Sequence, residues 1–237
     1  MAAELATAPV LALEDVTKRY SMGDVVVEAL RGVSFDILAG EYVAIMGESG
    51  SGKTTLLGIL GCLDRPTSGS YKLVGQEMSA LPETARARVR GARIGFVFQA
   101  YNLLSRSNAY QNVELPLVYA RVPARERRPR VLAALEEVGL ADRVSHYPNQ
   151  LSGGEQQRVG IARALVTDPS VVLADEATGN LDSASADEVL EIIDRLHESG
   201  TTIVLVTHSH DVAQRASRIL RVADGRLVDD SATERAA

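Results

Sequence analysis

The sequence predicts an α/β fold with a mainly parallel core sheet flanked by helices, and three patterns support this class. A glycine-rich loop at 47–55 lies between a short apolar run at 42–46 and a helix-forming run that begins at Leu56. Further along, apolar runs at 171–174 and 202–206 flank an amphipathic stretch at 183–197, the alternation typical of parallel sheets. Strand-like segments at 10–20 and 33–37 have no helix between them, which predicts a small antiparallel β part.

The glycine-rich loop matches the phosphate-binding pattern G-x-x-x-x-G-K-[ST] and reads Gly47-Glu48-Ser49-Gly50-Ser51-Gly52-Lys53-Thr54-Thr55. Glycines lack a Cβ, so the backbone N–H groups can approach a polyphosphate, and the next helix presents its positive end to the same anion. We expect Lys53 to reach the β- and γ-phosphates and the Thr54 hydroxyl to ligate Mg²⁺. The alternative, a glycine- and serine-rich turn that carries a lysine by chance, is disfavoured by the flanking strand and helix.

Composition sets broad limits on function. The 237 residues are 46% hydrophobic and 24% charged, ordinary values for a globular protein that buries a sizeable core. The net charge of -6 gives no support to a nucleic-acid partner. Cys62 is the only cysteine, so no intrachain disulfide can form. No apolar run is long enough for a membrane span, and the N-terminus lacks signal-peptide features, so we expect a cytoplasmic protein.

The order of the segments predicts how the chain is organised. Residues 1–9 are expected to form a loose tail and 10–237 a single domain, with a helical subdomain at about 100–165. An arginine cluster in that subdomain, residues 125–130, is interpreted as a solvated helix face. Pro129 within it is expected to start or kink a helix. Asp224-Gly225 predicts a hairpin turn near the end of the chain.

Polar residues follow several of the predicted strands. Asp175 and Glu176 come directly after the apolar run at 171–174, Gln99 follows a predicted strand at 94–98, and His208 follows another. The carboxyl ends of parallel strands border the ligand crevice, so Asp175 is expected to hold Mg²⁺ and Glu176 to take a proton from an attacking water. An acidic loop and a structural histidine are the alternatives. We expect four strand ends to converge, those after Met46, Phe98, Ala174 and Thr207.

A second glycine-rich turn reads Leu151-Ser152-Gly153-Gly154-Glu155-Gln156-Gln157-Arg158 and opens a helix through Leu165. Ser152 is a favourable N-cap residue, and a capped helix start is one interpretation of the stretch. A second anion-binding helix terminus is the other. Spacing alone does not decide between them.

Taken in this order, the P-loop, Gln99, LSGGE, Asp175-Glu176, Asp182 and His208 resemble the ATP-binding cassette of ABC transporters. The resemblance covers about residues 11–229 and is closest to the lipoprotein-releasing and macrolide-export ATPases of the LolD/MacB type. It implies an ABC-type P-loop fold, an ATPase that uses ATP and Mg²⁺, and a homodimer formed on ATP binding. In such a dimer, the signature loop, residues 151–155, completes the partner's nucleotide site.

The resemblance also implies roles for single residues. Ser152, Gly153 and Gly154 would contact the γ-phosphate across the dimer interface, and Tyr20 would stack on adenine. Glu176 would be the general base, and His208 a γ-phosphate contact. Gln99 would reach the metal and link the site to the helical segment that binds a permease. Asp182 would lie in the loop that communicates between the two nucleotide sites. Ala177 departs from the family, which usually has proline after the catalytic glutamate.

The partner implied by the resemblance is a separately encoded integral-membrane permease with an FtsX/MacB-like domain, which places the chain on the inner face of the cell membrane. The leading hypothesis is therefore a subunit that powers export or extraction of a substrate. An FtsE-like regulatory ATPase, which drives a periplasmic partner without transport, is the alternative. A cassette acting on nucleic acid or ribosomes is disfavoured, because the chain has neither long coiled coils nor paired cassettes.

Overall fold

The computed structural model describes residues 9–23 and 25–231, which form two compact units. The first unit contains the chain up to Ala87 and from Gly200 onwards, and the second contains Arg88–Ser199. The predicted tail lies outside the described residues except for Pro9, which was assigned to the tail but already begins the first strand.

The elements alternate much as the sequence predicts. The strands are β1 Pro9–Met22, β2 Val25–Leu38, β3 Tyr42–Met46, β4 Ser68–Leu73, β5 Gln76–Glu77, β6 Ile94–Phe98, β7 Val171–Asp175, β8 Ile203–Thr207, β9 Arg218–Ala223 and β10 Arg226–Asp230. The helices are α1 Lys53–Leu60, α2 Glu83–Arg93, α3 Ala109–Tyr119, α4 Ala124–Glu137, α5 Gly153–Leu165, α6 Ser183–Glu198 and α7 His210–Ala213, with a 3₁₀ turn at Pro148–Gln150.

An antiparallel sheet in the order β2-β1-β4-β5 makes the predicted small β part of the first unit. The strand-like segments predicted at 10–20 and 33–37 are too short. Residues 21–22 and 25–32 extend the two strands into one long hairpin, whose turn includes Gly23 with a positive φ of 63°. Val25, Val26 and Val27 are extended but exposed by 61%, 58% and 45%, so they lack the half-buried alternation from which a strand is usually predicted.

The parallel core of the first unit is built around β3. This strand pairs in parallel with β8 on one side and β9 on the other, and β10 adds an antiparallel strand to β9. Every residue of β8 and all but the last of β3 are buried, as expected for parallel strands. The register places Met46 opposite Thr207, so two of the predicted strand ends lie side by side.

The second unit contains the parallel pair of β6 and β7, with Phe98 opposite Asp175. The region predicted to be a helical subdomain, about residues 100–165, contains the helices α3, α4 and α5. Pro129 lies inside α4, which begins at Ala124 after Pro123, so Pro129 does not start the helix. That it kinks the helix stays a prediction. Arg125, Arg128 and Arg130 are exposed, as a solvated helix face requires, whereas Arg127 is half-buried and donates to the Val122 carbonyl oxygen at 2.7 Å.

The β4–β5 hairpin is held by a carboxylate that should titrate at unusually low pH. Glu77 accepts hydrogen bonds from the Ser70 hydroxyl at 2.5 Å and the Ser79 N–H at 2.9 Å. Partial burial opposes its ionisation, but these bonds outweigh that effect and lower the pKa of Glu77 to about 2. Its stabilising contribution is therefore complete above about pH 4.5 and is lost as the pH falls towards 2.

We expect Glu77→Gln to remove this part of the pH dependence. Denaturant unfolding between pH 4.5 and 2 should give a shallower loss of unfolding free energy for the variant than for wild type. Glu136→Gln, at an exposed position of α4, serves as the control and should follow wild type. Parallel curves for wild type and Glu77→Gln would contradict the assignment.

Candidate active site

The phosphate-binding loop connects β3 to α1 as predicted, and its glycines serve two different needs. A Cβ on Gly47 would collide with the carbonyl oxygen of Val222, and one on Gly52 would lie 2.6 Å from the carbonyl oxygen of Ala29. These two glycines are required because other backbone segments pass close to the loop. Gly50 has open space around its Cβ position but a φ of 80°, so glycine is favoured there by conformation.

Lys53 and Ser51 are the buried side chains of the loop. The Lys53 ammonium donates to the carbonyl oxygens of Gly47 and Glu48, both at 2.7 Å, and the residue is 8% exposed. The Ser51 hydroxyl is buried without a hydrogen-bond partner among the described residues. Thr54 is exposed at the first turn of α1, where its hydroxyl is accessible to a ligand. The loop therefore offers a cation, hydroxyls and the N-terminus of α1 in one stretch of nine residues.

A hairpin that sequence reasoning did not connect with this loop supports it from outside. Asp224 and Gly225 have φ values of 49° and 74°, as the two central residues of a type I′ turn require, which confirms the predicted turn. The Gly225 N–H donates to the carbonyl oxygen of Ser51 at 2.9 Å, and the Gly225 carbonyl accepts from the Arg31 N–H at 2.7 Å. The Asp-Gly pair signals a turn, but nothing in its sequence indicates what the turn contacts.

Tyr20 and His208 also belong to the first unit. Tyr20 is 37% exposed, and its hydroxyl donates to Asp64 at 2.8 Å, just beyond the end of α1. His208 is exposed and directly follows β8, whose last residue, Thr207, lies opposite Met46 at the start of the loop. The structure thus brings the loop and the strand end before His208 to the same edge of this unit's sheet.

In the second unit, the predicted acidic pair lies at the end of β7. Asp175 is the last residue of the strand, and Glu176 follows with a φ of 44°. A left-handed backbone is unusual for glutamate and is found most often where the surroundings enforce it at functional sites. The Gly179 N–H donates to the Glu176 carbonyl oxygen at 2.9 Å and closes a turn. We call residues 176–180 the catalytic turn, after the role predicted for Glu176.

Gln99 lies at the end of β6 and contacts this turn. Its backbone carbonyl accepts from the Asn180 amide at 3.0 Å, and its side-chain amide lies 3.4 Å from the Asn180 oxygen. A Cβ on Gly179 would lie 2.7 Å from the Gln99 amide nitrogen, so any other residue there would displace the end of the Gln99 side chain. Gln99, Asp175 and Glu176 are therefore brought together within one unit, in accord with the paired strand ends of β6 and β7.

The signature loop is the capped start of α5. Ser152 and Glu155 form a capping box, in which the Glu155 N–H donates to the Ser152 hydroxyl and the Ser152 N–H donates to the Glu155 carboxylate. That second bond, assisted by Arg143, lowers the pKa of Glu155. Gly154 is buried, and a Cβ there would lie 3.0 Å from the Ser185 side chain. The capping interpretation is confirmed, while anion binding by this helix start stays a prediction.

Two residues of α5 donate hydrogen bonds to backbone carbonyl oxygens outside the helix, and the sequence analysis identified neither of them. Gln157 is fully buried and donates to the Ala177 carbonyl oxygen at 2.7 Å, which attaches α5 to the catalytic turn. Arg163 donates to the carbonyl oxygens of Tyr101 and Asn102 at 2.9 and 2.6 Å, and its burial lowers the pKa of its guanidinium. The sequence offers one weak signal for Gln157. It is a polar residue on the buried side of a helix whose first turn contains glycines.

Asp182 caps the helix that follows the catalytic turn. Its carboxylate accepts from the Ser185 N–H at 3.0 Å at the start of α6. This bond lowers the pKa of Asp182, although the carboxylate is exposed. The predicted role of Asp182 between two sites is not tested by this bond, which shows only that its side chain is fixed within its own unit.

The oxygen groups predicted to hold Mg²⁺ have suitable chemistry. Mg²⁺ prefers oxygen ligands, and Thr54, Gln99 and Asp175 supply a hydroxyl, an amide oxygen and a carboxylate. Across residues 9–23 and 25–231 there is no group of three or more His, Cys, Asp or Glu side chains that could hold a metal ion.

The fold and the glycine-rich loop with its lysine define a P-loop protein that binds nucleoside triphosphates. Comparison with known families is more specific, since the family described as "ABC transporter" matches residues 30–179. The chain belongs to this family, which confirms the resemblance inferred from the sequence. It is an ABC ATP-binding domain, and its enzyme class is that of an ATPase.

Relatives support this placement. The chain is 57% identical over 218 residues to an uncharacterised ABC transporter ATP-binding protein of Thermotoga maritima, with 92% of this chain and 93% of the relative covered. It is also 51% identical to the macrolide export ATP-binding/permease protein MacB of Hyphomonas neptunium, over 98% of this chain. The match spans only 36% of that MacB protein, whose name describes an ATP-binding part and a permease in one protein.

Solved structures agree with the fold. The cassette MJ0796, in a dimeric post-hydrolysis state bound to ADP and Pi, superposes with a TM-score of 0.85 at 42% identity, covering 93% of this chain and 97% of that one. The predicted ABC-type α/β fold is confirmed. In the described part of the chain, no helix is long and apolar enough to span a bilayer.

Proposed function

We propose that this chain binds and hydrolyses MgATP as the energy-supplying subunit of an ABC transporter, and that two copies close around the nucleotides. The observation that carries the proposal is the phosphate-binding loop, in which the buried Lys53 is held by the loop's own carbonyl oxygens at 2.7 Å. A polyphosphate can take over these contacts, because its oxygens are stronger acceptors for an ammonium group.

Each predicted residue has a role in this proposal. Backbone N–H groups of residues 47–55 and the Lys53 ammonium bind the phosphates, Tyr20 stacks on adenine, and His208 contacts the γ-phosphate. Glu176 accepts the proton of the attacking water, and Gln99 orients the water or the metal. Mg²⁺ offsets phosphate charge when bound, and Thr54, Gln99 and Asp175 would hold it. Ser152, Gly153 and Gly154 act at the site of the second copy, and Asp182 lies in the loop that communicates between the two sites.

The capping box supports the role given to the second copy. Ser152 uses its hydroxyl to accept from its own helix, yet the residue is exposed and its hydroxyl can still donate to a phosphate oxygen. A capped helix start with an exposed serine followed by two glycines fits an anion supplied from outside the chain. Dimers are described for the similar cassette MJ0796, whose nucleotide is ADP with Pi.

The partner we propose is a separate membrane permease of FtsX/MacB-like type, with the chain bound to the cytoplasmic face of the membrane. The type of permease is supported by MacB relatives, whose names join an ATP-binding part and a permease in one protein. A separate permease is supported by the relative from Thermotoga maritima, which is named an ATP-binding protein. Export or extraction from the membrane is the direction of transport that fits these relatives. Co-purification with a candidate permease is the direct measurement of this partner.

Mixing variants tests whether the signature loop acts on the partner's site. Lys53→Ala disables the phosphate loop and Ser152→Arg disables the signature loop. If the loop acts across the interface, a chain carrying both lesions should poison wild type, because each site of the mixed dimer then contains one lesion. Mixing the two single variants instead leaves one intact site, and some ATPase activity should return.

The control for lost helix capping is Asn108→Arg, which breaks the matching capping box at the start of α3. It should not poison wild type. If wild-type activity falls only in proportion to dilution by the double variant, with mixed dimers detected, the shared-site proposal is wrong. Poisoning of wild type by the double variant is the more decisive result. Recovery of ATPase activity in the mixed single variants also requires that one intact site can hydrolyse ATP alone.

A further inference from the structure

A charged pair beside Tyr20 holds the aromatic ring that is proposed to meet the nucleotide base. The Lys18 ammonium lies 4.8 Å from the centre of the Tyr20 ring, within the range of a cation–π contact. The same ammonium donates to one Asp64 carboxylate oxygen at 2.6 Å, and the Tyr20 hydroxyl donates to the other at 2.8 Å. Lys18, Tyr20 and Asp64, which we call the ring cluster, therefore form a closed set of contacts.

Two further hydrogen bonds attach the ring cluster to the backbone at Arg65. Lys18 also donates to the Arg65 carbonyl oxygen at 2.8 Å, and the Arg65 N–H donates to Asp64 at 2.7 Å. The Lys18 side chain is only 12% exposed and that of Asp64 35% exposed, so the pair is partly removed from water. Such a pair is screened less by salt than two fully exposed charges.

The electrostatics agree with this arrangement. Partial burial opposes ionisation of Asp64, but hydrogen bonds from Lys18, Tyr20 and the Arg65 N–H outweigh it and lower the pKa of Asp64. Burial and the neighbouring Asp64 raise the pKa of Tyr20. The carboxylate thus stays ionised and the phenol stays protonated, the states in which the phenol donates to the carboxylate.

Two consequences for the ring follow from these contacts. Lys18 covers one face, so a base can stack only on the other, which is consistent with the 37% exposure of Tyr20. The Tyr20 hydroxyl is also held in place, because its bond to Asp64 ties the ring to the chain just beyond the end of α1.

We propose that Lys18 and Asp64 are positioning residues for the nucleotide base, which hold Tyr20 as a one-sided stacking platform at a fixed place relative to the phosphate-binding loop. The inference rests on the proposed function, because it takes Tyr20 as the residue that stacks on adenine. Its physical basis is preorganisation: a ring already fixed before binding loses little conformational freedom when the base arrives.

Comparing MgATP with magnesium tripolyphosphate isolates the base, since tripolyphosphate has the phosphates and no base. The variants are Tyr20→Phe, Lys18→Met and Asp64→Ala, with Tyr20→Ala as the reference for losing the platform. Each of the three should weaken MgATP binding by roughly threefold to tenfold, as expected for losing contacts to a charged group, and leave tripolyphosphate binding unchanged. In steady-state assays the rise in KM should exceed any fall in kcat.

Lys72→Met, at an exposed lysine on β4, and Tyr119→Phe, at a tyrosine exposed by 79%, are the matched controls and should bind both ligands as wild type does. Thermal unfolding of every variant identifies any that fail to fold. Asp64→Asn is the milder substitute for Asp64→Ala, since its amide oxygen can still accept from Tyr20 while the charge is lost.

The outcomes separate this inference from the proposed function. Equal losses for MgATP and tripolyphosphate would overturn the inference, because the cluster would then support the loop rather than the base. Unchanged MgATP binding in the three variants, with a loss in Tyr20→Ala, would overturn the inference and leave Tyr20 stacking intact. Unchanged binding in Tyr20→Ala as well would overturn the stacking assignment, and a wild-type chain that binds no MgATP would overturn the proposed function itself.

Discussion

Glu176→Gln is expected to bind MgATP and to lose roughly 10²–10⁴-fold in turnover, the usual contribution of a positioned general base. The amide keeps the shape of the side chain but cannot accept the proton of the attacking water. The catalytic turn should survive, because a backbone hydrogen bond and a bond from Gln157 hold it. With hydrolysis blocked, an ATP-bound dimer should accumulate and appear in size-exclusion chromatography with MgATP.

The control for a general loss of carboxylates is Glu198→Gln, at the exposed end of α6, which should keep wild-type turnover. Steady-state ATPase assays and equilibrium nucleotide binding give the two readouts. Near-normal turnover in Glu176→Gln would remove Glu176 from the base role and leave Asp175 or a water network as the candidate.

Lys53→Ala should weaken nucleotide binding by roughly tenfold to a hundredfold or more, from the loss of charge-assisted contacts to the phosphates. The structure adds a second reason for a large effect. Lys53 donates to the carbonyl oxygens of Gly47 and Glu48, so its removal also takes away two bonds that shape the free loop. Both effects act on binding, and neither can be restored by the neighbouring hydroxyls.

Titration with MgATP measures this loss, with Lys72→Ala on the exposed face of β4 as the control. The tripolyphosphate affinity should fall in parallel, since Lys53 is proposed to touch phosphates and not the base. Retained tripolyphosphate affinity in Lys53→Ala would contradict its assignment to the β- and γ-phosphates.

Much of this fold was predictable because its core strands and helices carry strong local patterns. The strand before the loop, β3, was predicted with the bounds that the structure has, because it is a short apolar run. The helix α5 was predicted to end at Leu165, as it does, and Ser152 was recognised as a favourable N-cap residue. The phosphate-binding loop was predictable for a similar reason, because its glycines and lysine form a continuous motif.

The contacts between distant segments could not be predicted in the same way. Gln157 and Ala177 are 20 residues apart, and the Tyr20–Asp64 bond joins positions separated by 44. Such pairs depend on how elements pack, and single-sequence patterns carry no information about that. The long hairpin of β1 and β2 was missed for another reason, since its exposed valines lack the alternation of a half-buried strand.

The support of the phosphate-binding loop by the Asp224–Gly225 hairpin has a consequence for how the protein is made. The loop is encoded near residue 50, whereas β8, β9 and the hairpin that hold it come from residues 203–225. During synthesis the loop therefore leaves the ribosome long before the strands that flank β3 and the N–H that bonds Ser51 exist. Domains with such sequence-distant pairings fold slowly, and the nascent chain must pass through states with β3 unpaired on both sides. The nucleotide-binding loop is thus among the first motifs to be translated and among the last to acquire its full set of backbone supports.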